Sequence, residues 1–143
     1  MSLGEDSGST VEFDTMRGRD YPTIRQFTVF MENRVGQLQS IFRRFKDSGV
    51  RIVALNIQDS TECSIVRFVF SHPERGREIL ERVGLAMIES DLVAVIMEDE
   101  AQPLLTICSA LLRAEINLVQ SYPLLVRSQS QMVIALKVSG LSQ

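Results

Sequence analysis

Sliding the chain along itself by 66 positions lays Met31-Glu32 on Met97-Glu98, Leu38 on Leu104, Ile41 on Ile107, Phe45 on Leu111 and Val50 on Ile116. The match continues with Ile52 and Val53 on Leu118 and Val119, and with Phe68 and Phe70 on Ile134 and Leu136. Two unrelated amphipathic segments would agree over one stretch. Here a strand pattern, a helix pattern and a hairpin pattern recur in the same order, as a duplicated supersecondary unit requires. The counterpart of residues 71–90 would begin near Lys137 and run past Gln143, so the second copy is expected to be truncated and to lack one covering helix.

Within the first copy the local periods are clear. From Ile24 to Met31 apolar residues alternate, with Phe27, Val29 and Met31 on one face, which predicts a half-buried strand. Glu32 to Gly36 reads as a loop. After Gly36 the period becomes 3.6, with Leu38, Ile41, Phe42 and Phe45 on one face and Arg43, Arg44 and Lys46 opposite, giving an amphipathic helix closed by Gly49 as its C-cap. Val50 to Gln58 and Ser64 to Phe70 read as strands joined through the turn residues Asp59 to Glu62. Ser71 and Glu74, flanking Pro73, predict a capping box that opens a second helix ending at Gly84. Leu85 to Ser90 reads as a short fourth strand broken by Asp91. The expected division is a disordered tail over 1–20, a first unit over 21–90 and an incomplete second unit over 91–143.

Composition narrows the function classes. Apolar residues make up 45% and charged residues 23%, a globular balance that supports a core without staples. The 15 basic residues interleave with 18 acidic ones, so no stripe of positive potential is available for nucleic acid or an anionic membrane. No apolar run reaches the roughly 20 residues that span a bilayer, and a cytoplasmic location is expected. Cys63 and Cys108 form no CxxC spacing and read as buried, reduced thiols, with no metal expected. His72 is the sole histidine and lies in a helix-start turn, so no catalytic triad can be assembled without it. No GxSxG, HExxH or GxxxxGK[ST] motif is present, and no catalytic residue or cofactor is expected.

The run Asn33-Arg34-Val35-Gly36 before the helix and Gly49-Val50-Arg51-Ile52-Val53-Ala54-Leu55 after it resembles the opening of an ACT domain. In that family the wording is close to Asn-Arg-Pro-Gly-Leu before the helix and Gly-Ile-Asn-Ile after it, so Val35 and Gln37 depart mildly. The pattern recurs at Met97-Glu98-Asp99-Glu100-Ala101-Gln102-Pro103-Leu104 and at Glu115-Ile116-Asn117-Leu118. The resemblance covers residues 24–90 fully and 91–139 in part. It implies an α+β, ferredoxin-like βαββαβ fold in two tandem units, the second truncated to βαββ, with antiparallel sheets and helices on one face. It also implies non-catalytic, regulatory binding of a small ligand, commonly an amino acid, where two such units pair. The positions that carry over in the first unit are Asn33, Arg34, Val35, Gly36, Gln37 and Leu38, with Asn56 and Ile57 on the facing strand. In the second unit they are Asp99, Ala101, Gln102, Leu104 and Tyr122, where Ala101-Gln102 stands in place of Pro-Gly and obstructs the close approach of a carboxylate.

A site at this place has a physical basis independent of the family, because a helix N-terminus favours a carboxylate through its partial positive charge. Asn33 can donate and accept, and Arg34 can pair with an acidic group. Taken singly, Asn33 also reads as a helix cap and Arg34 as a solvated surface residue. The truncated second unit leaves an apolar face and a strand edge that the first unit or a second chain must cover, so a homodimer is expected. A regulated partner protein is expected too, its identity unreadable from these residues. The rival reading is an assembly module with no small-molecule ligand. RNA-recognition motifs share the element order, but Arg67-Phe68-Val69-Phe70 lacks their basic-Gly-aromatic run.

Overall fold

The computed structural model of the chain describes residues 23–32, 34–128 and 130–139. The expected tail and Asn33 lie outside the described residues. Two compact units divide the chain: one is Arg25–Ser90, and the other takes Asp91 onward together with Thr23 and Ile24.

The first unit holds β1 (Thr23–Met31), α1 (Arg34–Phe45), β2 (Ile52–Asp59), β3 (Ser64–Phe70), α2 (Pro73–Val83) and the start of β4 (Met87–Ile96), the βαββαβ order of a ferredoxin-like fold. Its strands lie in the order β2-β3-β1-β4. Antiparallel pairing sets Phe27 opposite Phe68 and Met31 opposite Ser64 between β1 and β3, and Asp59 opposite Ser64 between β2 and β3. Alternation along β1 and β3 puts Phe27, Val29 and Met31 on one face with Val66, Phe68 and Phe70, where Ile41 and Phe45 of α1 and Ile79 and Leu80 of α2 close over them. Each such side chain, fully buried, contributes about 1.5–3 kcal/mol. Phe70 is the hub: its ring centroid lies 5.3 Å from Phe27, 4.7 Å from Phe45 and 5.4 Å from Phe68. Helix α2 reaches this ring through Gly76, where a Cβ would run into Phe70. At the rim Arg25 of β1, Glu74 and Arg77 of α2 and Glu89 of β4 form a closed ring of ion pairs, among them Arg25–Glu74 at 2.8 Å and Arg77–Glu89 at 2.8 Å.

The second unit is β4 from Asp91, α3 (Pro103–Arg113), β5 (Asn117–Ser128) and β6 (Gln131–Ser139), the βαββ order expected of a truncated copy. Its strand order is β4-β6-β5. Duplication shows in backbone detail that side-chain patterns do not report. Pairing slips between Ile52 and Ala54 in β2 and between Leu118 and Gln120 in β5, at equivalent places. Gly49 has φ 83° and its equivalent Glu115 has φ 59°, both left-handed. The hairpins differ: the pair Asp59–Ser64 closes a four-residue turn, whereas Ser128–Gln131 closes a two-residue one. With this, Val93 faces Leu136 instead of Ile134, the equivalent of Phe68. A slip of two keeps every side chain on its own face, whereas a slip of one would have turned the core outward. Burial differs more sharply. Helices α1 and α2 bury Ile41 and Phe45, and Pro73, Gly76, Ile79 and Leu80, while α3 has no fully buried residue.

Several local expectations are corrected. Helix α1 begins at Arg34, so the stretch Arg34 to Gly36 is its first turn instead of a loop; exposed first-turn residues such as Val35 carry no apolar period. It ends at Phe45, whose carbonyl accepts from the Ser48 amide and hydroxyl, so Gly49 lies beyond the cap and turns the chain into β2. The capping box is absent: His72 occupies the N-cap of α2 without a side-chain cap bond. Ser71 Oγ accepts from the Arg51 amide at 2.8 Å instead, and Glu74 is drawn to Arg25 and Arg77. Gly84 does close α2, its left-handed amide donating to Leu80 and Glu81. Strand β4 runs through Asp91 to Ile96, because Asp91 is only half-buried and pairing with β6 takes over from Val93. Both cysteines are free and half-buried.

Candidate ligand-binding site

In an antiparallel sheet the end of β1, the end of β2 and the start of β3 come to the same edge, so the β1–α1 junction and the β2–β3 turn face each other in the first unit. Between them lies a cleft of about 240 Å³. One wall is Glu32, Arg34 and Val35, at and just before the first turn of α1. The other is the continuous run Asp59 to Ser64. The turn is held rigid by its own polar groups: the Ser60 amide and Oγ both donate to the Cys63 carbonyl, at 3.1 and 2.6 Å, and Ser64 Oγ donates to Asp59 Oδ1. Arg34 reaches across the cleft, its Nε 3.5 Å from Asp59 Oδ1.

The charge pattern is mixed. The N-terminus of α1 presents the positive end of the helix dipole, its first turn holds no acidic residue, and Arg34 adds a guanidinium. Facing them are the carboxylates of Asp59 and Glu62, and Glu32 adds a third on their own wall. A ligand bearing only negative charge would meet three acids and one arginine already paired to one of them. A ligand carrying both a carboxylate and an ammonium group would find a partner for each.

Of the residues singled out in the sequence, Arg34 and Val35 line this cleft, with Val35 65% exposed. Gly36, Gln37 and Leu38 follow along α1, Leu38 packing partly on the core. Asn56 and Ile57 lie on β2 outside the cleft walls, Asn56 Oδ1 accepting from Arg67 at 3.3 Å. Asn33 lies outside the described residues. Sequence reasoning did not single out the opposite wall, Asp59 to Ser64; the signal for it is strand direction, since β2 must end where β1 ends. In the second unit Asp99 and Ala101 are exposed ahead of α3, and Gln102 occupies its N-cap with no side-chain cap bond. Leu104 is half-exposed on the helix, and Tyr122 on β5 faces Ala135. Among the described residues no group of histidine, cysteine, aspartate and glutamate is arranged to hold a metal ion.

A second, larger groove of about 660 Å³ runs along the outer side of α1 in the first unit, with Phe42, Phe45, Val50 and Ile52 as its floor and Gln39, Arg43 and Lys46 on its rim. It is wide, open and apolar, and it lacks the convergent polar groups that orient a small polar ligand. The smaller cleft has them.

No functionally curated protein matches the sequence. Among solved structures, a protein from Bacteroides thetaiotaomicron is similar over 82% of this chain and 81% of its own, with a TM-score of 0.72 and 18% identity. The ligand-free regulatory subunit of aspartate kinase from Thermus thermophilus is similar over 80% and 81%, with a TM-score of 0.55 and 12% identity. The corresponding subunit from Thermus flavus gives 82% and 83%, 0.53 and 10%. These likenesses concern the fold. The family model described as an ACT domain pair matches residues 22–138, nearly the whole described chain, and with it the chain belongs to the ACT domain pair family.

Proposed function

We propose that this chain is a non-catalytic regulatory module that binds an amino acid in the cleft at the N-terminus of α1. We further propose that it works in the cytoplasm as a pair of identical copies and passes the binding signal to a separate protein. The observation that carries the reading is the paired chemistry of the cleft. A helix N-terminus with Arg34 stands on one side and the carboxylates of Asp59 and Glu62 on the other, and together they bound a space of about 240 Å³. Membership in the ACT family supports a regulatory role, and the absence of any catalytic motif from the sequence agrees with it.

The test is thermal unfolding against the twenty amino acids at millimolar concentration. A ligand present at about 100 times its Kd adds roughly 2.7 kcal/mol to stability. A rise for one or two amino acids, lost in Arg34→Ala and in Glu62→Gln, is the expected result. A flat panel with a well-folded protein overturns it. One observation favours the rival reading of a pure assembly module, namely that α3 buries no residue fully, and a flat panel would leave that reading standing.

A further inference from the structure

Helix α3 has an unusual surface for a helix on the outside of a small unit. From Pro103 to Leu112 it carries no charged side chain, and Arg113 at its end is its only one. Placed at 100° per residue, Leu105, Leu112, Cys108, Leu104, Leu111 and Ile107 fall in one arc of about 160°. The sheet takes only part of this arc: Ile107 and Leu111 are half-buried, Leu104 is 50% exposed, and Leu105 and Leu112 are 60% and 75% exposed. The equivalents of Leu105 and Leu112 in the first unit are Gln39 and Lys46, so these two positions are polar in one copy of the unit and apolar in the other.

We propose that this face of α3 is the seam on which two copies of the chain pair, the helices running antiparallel across a two-fold axis that passes beside Cys108. The inference rests on the pairing of copies proposed above and specifies its surface. Three observations select a second copy as the occupant. The arc is self-complementary: Cys108 is the middle residue of α3, and antiparallel pairing about it sets Leu105 against the partner's Leu111 and Leu104 against the partner's Leu112. The ends are complementary in charge, because Arg113 of one copy then lies near the exposed Glu98, Asp99 and Glu100 that precede α3 in the other. Area points the same way. α3 is about 16 Å long and packs on β5, whose Val119 and Leu125 are 52% and 70% exposed and add apolar surface in the same unit, where a stable interface needs roughly 800 Å² per partner.

The experiment is sedimentation of the full chain and of the Leu105→Glu, Leu112→Glu double variant, with Phe42→Glu, the equivalent of Cys108 in the first unit, as control. Cross-linking with copper(II) phenanthroline, which takes two electrons and two protons from a pair of thiols, is run on Cys63→Ser and Cys108→Ser. The expected result is a dimer whose Kd rises about 100-fold in the double variant and not in Phe42→Glu, with far-UV circular dichroism unchanged. Covalent dimer is expected from Cys63→Ser, which keeps Cys108, and not from Cys108→Ser. A dimer that survives the double variant, or that cross-links only through Cys63, overturns the seam while leaving pairing intact. A monomeric wild-type chain overturns both, and the amino-acid panel remains a separate reading of the cleft.

Discussion

Glu74 accepts hydrogen bonds from Arg25 at 2.8 Å and from Arg77 at 2.5 Å, and these hold its carboxyl below the ordinary value of 4.5. The same ring pushes the Arg77 guanidinium further up, first through Glu89 and then through Glu74. A carboxyl depressed in the folded state contributes its stability in full above the unfolded value and loses it as pH falls through the folded one. Titrating the melting temperature downward from about pH 6 should therefore show a loss that begins near the unfolded value, and Glu74→Gln should flatten it. If the variant and the wild type lose stability in parallel, the ring contributes nothing measurable, as exposed pairs often do. Gly76 makes a steric demand: with Phe70 pressed against its Cα, Gly76→Ala must displace a ring shared by Phe27, Phe45 and Phe68. A loss of about 1–3 kcal/mol in urea unfolding is expected, despite alanine's better helix propensity.

At the scale of elements, the duplicated turn after the first helix of each unit gives a matched comparison. Gly49 at φ 83° adopts the left-handed conformation freely, whereas Glu115 at φ 59° carries a Cβ in the same place. Glu115→Gly should raise stability by about 1 kcal/mol, and Gly49→Ala should lower it by a similar amount, both read from urea midpoints. Elements with a strong period were legible in the sequence: Phe27, Val29 and Met31, and Phe68 and Phe70, lie in the core that their alternation implied. What escaped were positions where the period is silent. The first turn of α1 faces solvent and so reads as loop, and Asp91 is half-buried and so reads as a break although β4 continues through it. The candidate cleft was half legible. Its α1 wall follows from the Arg34-Val35 motif, while Asp59 to Ser64 carries only turn chemistry, and its place opposite the helix follows from strand direction, which a linear pattern does not display.

For the whole molecule, the contrast between well-covered α1 and α2 and under-covered α3 ties stability to association in the pairing proposed above. If α3 is the seam, the melting temperature rises with protein concentration in the wild type and becomes independent of it in the Leu105→Glu, Leu112→Glu variant. A concentration-independent wild type would count against the seam. The core cluster has a further consequence. All its members, from Phe27 to Leu80, and the partly buried residues packed on it as far as Met87, lie within Arg25–Ser90. A ribosome adds residues from the N-terminus at about 5–20 per second, so every side chain of that core is made before α3, which starts at Pro103. The aromatic cluster around Phe70 thus leaves the ribosome ahead of α3, and it can begin to close before the helix that stays apolar on its outer side is free to pack.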